Sequence, residues 1–225
     1  MIDSYTMSLV TPENSADYAA ALSAADIPAL VEQLASAEDK IRYPAFLLLR
    51  ERSAIRADVY PFWDVFDAKL TSENSYQRSI GAMLISANAR HDAAGKLRQS
   101  LPSYLTLLSD PKPITVRQCA QALPEILRAK PEYAEPICDA ILQVSLMDYK
   151  DTMRKLILLD FLETLLICRA IAPTPALMNT FSPCSAAAFS TTNRKSSSER
   201  GCRSSLCSKF LINHLTAQKS GRPSG

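Results

Sequence analysis

Residue types that perform chemistry are thinly spread along this chain. It has two histidines, His91 and His214, and six cysteines, at positions 119, 138, 168, 184, 202 and 207. His91 falls at the end of a helical pattern, where a histidine commonly meets the last carbonyls of the turn. No glycine-rich phosphate loop, paired-histidine metalloprotease helix or nucleophile elbow occurs. The carboxylates show no spacing that assigns an acid and a base. Cys184, Cys202, Cys207 and His214 can be written as a zinc knuckle, but structural zinc sites hold their ligands at tighter spacing between turn residues. No catalytic residue, cofactor or metal is therefore expected. What remains is recognition chemistry from guanidinium, amide, ammonium and phenol groups: Tyr43, Arg50, Gln118, Gln121, Arg128 and Lys155.

These six residues stand one, four, eight or eleven positions after one of four regularly placed arginines, a spacing that keeps them off the apolar face of a helix. The arginines are Arg42, Arg78, Arg117 and Arg154, at intervals of 36, 39 and 37 residues. Three positions after each is a small or apolar residue: Ala45, Gly81, Ala120 and Ile157. Six positions after are Leu48, Leu84 and Leu123, with Asp160 breaking the series. Twelve positions before are Leu30, Phe66, Leu105 and Leu142. A period of this length marks an array of helical pairs. The ladder has a structural role available to it: each arginine can tie the turn before its helix to carbonyls or to an acid of the next unit.

The units read in order as follows. Residues 1–25 form a polar lead-in with one short helix near 15–23. Asp26 caps a helix carrying Ile27, Leu30, Val31 and Leu34, with Pro28 in the first turn, where its missing N–H costs nothing. Asp39 caps the next helix. Asp58 opens the second unit, and Ser72 or Asn74 caps its second helix. In the third unit Pro102 bends or starts the first helix, and Pro124 kinks the second. Asp151 caps the last helix, which runs to about Ile171 and is apolar almost all round, so it needs a neighbour to cover it. From Pro173 the helical period stops and serine dominates. Residues 173–225 cannot bury enough apolar surface to offset chain entropy, and disorder is expected there.

Composition agrees with two differently built segments. The net charge of +2 divides into seven basic residues against Glu199 in the tail, +6, and −4 over the first 172 residues. Five glycines in 225 residues are few for a sheet protein. Positive charge does not precede an apolar run at the N-terminus, so no secretory signal is read. The run from Leu156 to Ala172 is short and holds Asp160 and Glu163, so no membrane span is read. Cysteines at Cys119, Cys138 and Cys168 sit inside helical patterns as small hydrophobes, which suits a reducing, cytoplasmic compartment.

The pairs of helices, with a proline in the first (Pro28, Pro61, Pro102, Pro136) and an arginine opening the second, resemble the HEAT/armadillo-type helical repeat family over residues 26–172. That resemblance implies an all-α fold, a right-handed α-α superhelix or HEAT-like solenoid of about four helix pairs. It also implies a protein-interaction scaffold whose second helices line a concave side. Those second helices carry thirteen bases against seven acids, and the first helices eleven acids against Lys69, Lys96 and Arg98. A mildly basic groove favours an acidic peptide or protein segment. The alternative is a nucleic-acid-binding module of the DNA-repair type, using the groove and the basic tail. HEAT-like DNA glycosylases place aromatic and acidic residues in such a groove. Here Trp63, in Pro61-Phe62-Trp63-Asp64, falls on a first helix and is read as packing.

Overall fold

Apolar residues recurring at three and four positions commit the chain to helices, and a computed structural model describes residues 4–171 as helix joined by short turns, with no strand among them. The segment 173–225, with its cysteines and His214, lies outside the described residues. Ten α-helices are described: α1 Ser4–Leu9, α2 Ser15–Ala21, α3 Ile27–Gln33, α4 Asp39–Ile55, α5 Trp63–Lys69, α6 Ser75–Asn88, α7 Leu97–Thr106, α8 Pro113–Ala129, α9 Ala134–Gln143 and α10 Asp151–Ile171. Contacts divide the chain into two units, Met1–Tyr133 and Ala134–Gly225.

In the first unit α3 packs on α4, α5 on α6, and the turn 107–109 after α7 on α8. The three longer helices lie side by side, α4 against α6 and α6 against α8. The core runs along this layer through Ala45, Leu48 and Leu49, then Leu84 and Ile85, then Val116, Ala120 and Leu123, all inaccessible to solvent. Residues 1–25, read as a polar lead-in, hold two helices, and both pack on α4. Arg52 fixes α2 there: it is buried, donates to the Ala19 carbonyl at 3.1 Å, and grips Asp58 through Nε and Nη2 at 3.1 and 2.7 Å.

Several local expectations shift. Asp58, which opens the second unit, is held by Arg52, and α5 starts only at Trp63, after a tight turn at 60–62. Asp26 makes no side-chain cap to α3. Its Oδ2 reaches back to the Ser23 amide and hydroxyl, at 3.0 and 2.6 Å, closing the turn before that helix. Asn74, not Ser72, caps α6, accepting from the Tyr76 amide at 2.9 Å. Pro102 does not start α7 but lies inside it, as Pro124 lies inside α8.

The close approach of α5 to α6 depends on Gly81. A Cβ there would lie 2.7 Å from the Phe66 carbonyl oxygen and 2.9 Å from the Lys69 Cβ. The other glycine described, Gly95, has φ of 71° in the loop before α7, a region that non-glycine residues rarely adopt. Asp92 organises that loop, accepting from the Lys96 and Leu97 amides at 2.8 and 2.9 Å and from the Tyr60 hydroxyl at 2.8 Å.

In the second unit α9 packs on α10. Ile137, Ile141, Ile157, Phe161 and Leu165 are buried, and the turn 146–148 closes against α10.

Candidate interaction site

The arginine ladder sits at the starts of the second helices. Arg42 donates Nη1 to the Ser36 and Ala37 carbonyls, at 2.8 and 3.5 Å, and pairs through Nη2 with Asp39. Arg78 repeats the same offsets, donating to the Ser72 and Glu73 carbonyls at 2.8 and 2.9 Å. Its Nε and Nη2 also reach Asp110 in the next turn, at 2.6 and 2.9 Å. In the second unit Arg154 donates to the Leu146 and Tyr149 carbonyls and pairs with Asp151. Arg117 is half-buried on α8. Orphan carbonyls in a turn are costly to leave unmet, and a planar five-donor guanidinium can satisfy two of them and an acid at once.

The α4–α6–α8 layer carries a depression of about 790 Å³, open on one side. Its walls are apolar and aromatic: Met7 of α1, Tyr43 and Phe46 of α4, Tyr76, Ile80 and Met83 of α6. Ser8, Asp39, Lys40, Arg42, Ser79 and Gln118 supply its polar groups, the Asp39 carboxylate being paired with Arg42. Tyr43 is 49 % and Tyr76 61 % exposed, high values for large rings on one surface. Tyr43 lies against Phe46 at 6.4 Å between centroids, and the Arg42 guanidinium stands 5.4 Å over the Tyr76 ring. That cation–π contact ties α4 to α6 and holds Tyr76 at the rim.

Of the six residues singled out for recognition, Tyr43 and Gln118 are brought together here, from α4 and α8. Arg50 instead pairs with Glu125 at 3.0 Å, bridging α4 to α8 across the layer. Gln121 and Arg128 are exposed on α8, and Lys155 is exposed on α10, in the other unit. Tyr76, Met83, Phe46, Met7 and Lys40 were not anticipated. Lys40 and Tyr76 share a signal, since each stands two residues before its ladder arginine. Met83 and Phe46 lie within apolar patterns that sequence alone assigns to the core.

The basic surplus of the second helices is mostly engaged within the protein. Arg42, Arg50, Arg52, Arg78 and Arg154 face carboxylates, Arg90 donates to the Ala54 carbonyl at 2.8 Å, and Lys130 to the Asp92 carbonyl at 2.9 Å. Lys40, Arg56, Arg128 and Lys155 are left exposed. The potential of the face is therefore weaker than the count of bases implies, because the five carboxylates offset the charge of the arginines they pair with.

Behind the face lies a buried polar seam. Asn88 donates to the Ser53 hydroxyl and the Leu84 carbonyl, both at 2.9 Å, joining α6 to α4. The Tyr104 hydroxyl donates to the Cys119 carbonyl at 3.0 Å and meets the Ser86 hydroxyl at 2.9 Å. Burial pushes the Tyr104 phenol and the Cys119 thiol well above their ordinary values, and lifts Cys168 to about 11, so these groups stay protonated. Burial also pushes the Asp92 carboxyl upward, but the Leu97 amide, Tyr60 hydroxyl, Lys96 amide and Lys130 charge outweigh it and leave Asp92 below its ordinary value. Trp63 is fully packed, its indole N–H on the Ser100 hydroxyl at 2.9 Å.

Among the described residues no group of three or more His, Cys, Asp or Glu is placed to hold a metal ion, and no helix is long and apolar enough to cross a membrane. Comparison with family models, with curated proteins and with solved structures gives no match.

Proposed function

We propose that the chain is a non-enzymatic protein-interaction scaffold built as a HEAT-like repeat solenoid, and that its second-helix face binds a short segment of another protein. The observation that carries this reading is the open depression of about 790 Å³ lined by Met7, Tyr43, Phe46, Tyr76 and Met83. A contiguous apolar patch with a polar rim marks an interaction surface, and tyrosine and methionine supply contact area at low ordering cost. The repeat reading is supported by the side-by-side packing of α4, α6 and α8 and by the recurrence of the same arginine-to-carbonyl offsets at Arg42 and Arg78.

The segment is apolar at its centre and acidic at one end. The apolar part fills the depression, and the acidic part faces Lys40, which is exposed in its lining while the neighbouring Asp39 carboxylate is offset by Arg42. Nucleic acid fits this face less well: phosphate binding needs several uncommitted cations, and most of those on the second helices already face acids or carbonyls.

Selection of displayed peptides on the full chain tests the proposal, with the selected peptides and single-stranded and duplex DNA then titrated against salt. The expected result is enrichment of short apolar–acidic peptides that bind with modest salt dependence and lose about tenfold or more with Tyr43→Ala. Tight DNA binding that falls steeply with salt and is unchanged by Tyr43→Ala would overturn it.

A further inference from the structure

We propose that the outward face of α10 is an interface with a second copy of this chain, formed by antiparallel pairing of the two helices about Leu159. Helix α10 spans Asp151–Ile171 and is apolar on two sides. One side, Ile157, Phe161, Leu165 and Cys168, is buried within its own unit. The other presents Leu156, Leu159 and Leu166, exposed by 38, 62 and 53 %. Spacings of three and seven place these leucines on one line, flanked by the exposed Lys155 and Glu163. Single exposed leucines are ordinary, whereas a line of three along one helix face is not.

The charges on the line select the occupant. Lys155 and Glu163 lie four residues before and four residues after Leu159. When two such helices run antiparallel and cross at Leu159, Lys155 of each copy comes within reach of Glu163 of the other. The contact is self-complementary, as a two-fold interface requires. Parallel pairing would set like charges together. A uniformly basic segment would meet Lys155, and a uniformly acidic one Glu163. The leucine line, neutral overall and reversed in sign about its centre, fits its own copy best. None of these residues lines the depression on α4, α6 and α8, and the inference does not depend on what binds there.

Analytical ultracentrifugation of the full chain over a range of concentrations tests it, with helicity checked for each variant by circular dichroism. The wild-type chain is expected to dimerise. Lys155→Glu and Glu163→Lys should each weaken the dimer about tenfold or more, since each places like charges opposite, and the two together should restore it. Leu159→Arg, at a position open to solvent in one copy, should leave folded monomer. A wild-type chain that stays monomeric overturns the proposal. So does a dimer that tolerates all three single changes, or a double reversal that recovers nothing.

Discussion

Removing either partner of the Arg78–Asp110 pair should destabilise the first unit far more than removing a surface pair. The Asp110 side chain is 3 % exposed and that of Arg78 13 %, with two contacts at 2.6 and 2.9 Å. The pairing also raises the Arg78 pKa, through the hydrogen bond to Asp110 first. Asp110→Ala leaves the guanidinium largely buried without its acid and frees the Lys112 amide, which Asp110 accepts at 2.8 Å. Loss of one partner from a buried pair costs about 3–5 kcal/mol. Lys96–Asp64, at 2.8 Å, is a matched control on the surface, with side chains 33 and 81 % exposed. A pair of that kind contributes about 0.2–1 kcal/mol. Urea unfolding of the single and double alanine variants of both pairs gives two double-mutant cycles. The buried pair should show a coupling of about 2 kcal/mol or more, and the control under about 1 kcal/mol. Equal couplings in the two cycles would refute the view that Arg78 fastens one helix pair to the next.

Gly81→Ala should destabilise by about 1–3 kcal/mol in the same assay, because the gain in helix propensity is smaller than the cost of moving the Phe66 carbonyl. A variant as stable as wild type would show that α5 has room to shift. Asp26 is held down to about 2, chiefly by the Ser23 hydroxyl and then the Ser23 amide. Its folded pKa is depressed, so its contribution is present above its ordinary 3.8 and is lost as pH falls through about 2. The stability difference between wild type and Asp26→Asn should shrink across that window, and a pH-independent difference would contradict it. Iodoacetamide at pH 8 should leave Cys119 and Cys168 unmodified in the folded chain and label both in urea, read by peptide mass spectrometry, since both thiols are buried and protonated. Rapid labelling of either in the folded state would show that its helix opens.

Periodicity made the helices legible because a buried helix face must repeat its apolar residues. The positions three and six after each arginine are buried in all four pairs, from Ala45 and Leu48 to Ile157 and Asp160. The register twelve residues upstream slips. Leu30 and Phe66 are buried, but Leu105 and Leu142 are half-buried, and Tyr104 and Ile141 take the core places. Turn lengths cause the slip, and no residue type announces them. Helix starts were least legible where an acid had a rival use: Asp58 is drawn to Arg52, and Asp26 to the turn before its helix. The candidate site was legible only in part. Tyr43 and Gln118 follow from the arginine offsets. Arg50 looks free in sequence because Glu125, its partner at 3.0 Å, is seventy-five residues away. Met7 comes from a segment too short and polar to read as part of the packed unit.

Site-directed photo-crosslinking tests the binding face most directly. A photoreactive phenylalanine analogue replaces Tyr43, Tyr76 or, as a control on an exposed part of α7, Arg98, and each variant is irradiated with a selected peptide. Adducts from positions 43 and 76 but not 98, suppressed by Met83→Arg, are the result expected if the depression on α4 and α6 holds the ligand. Adducts from position 98 alone, or adducts at 43 and 76 that Met83→Arg leaves unchanged, would contradict it.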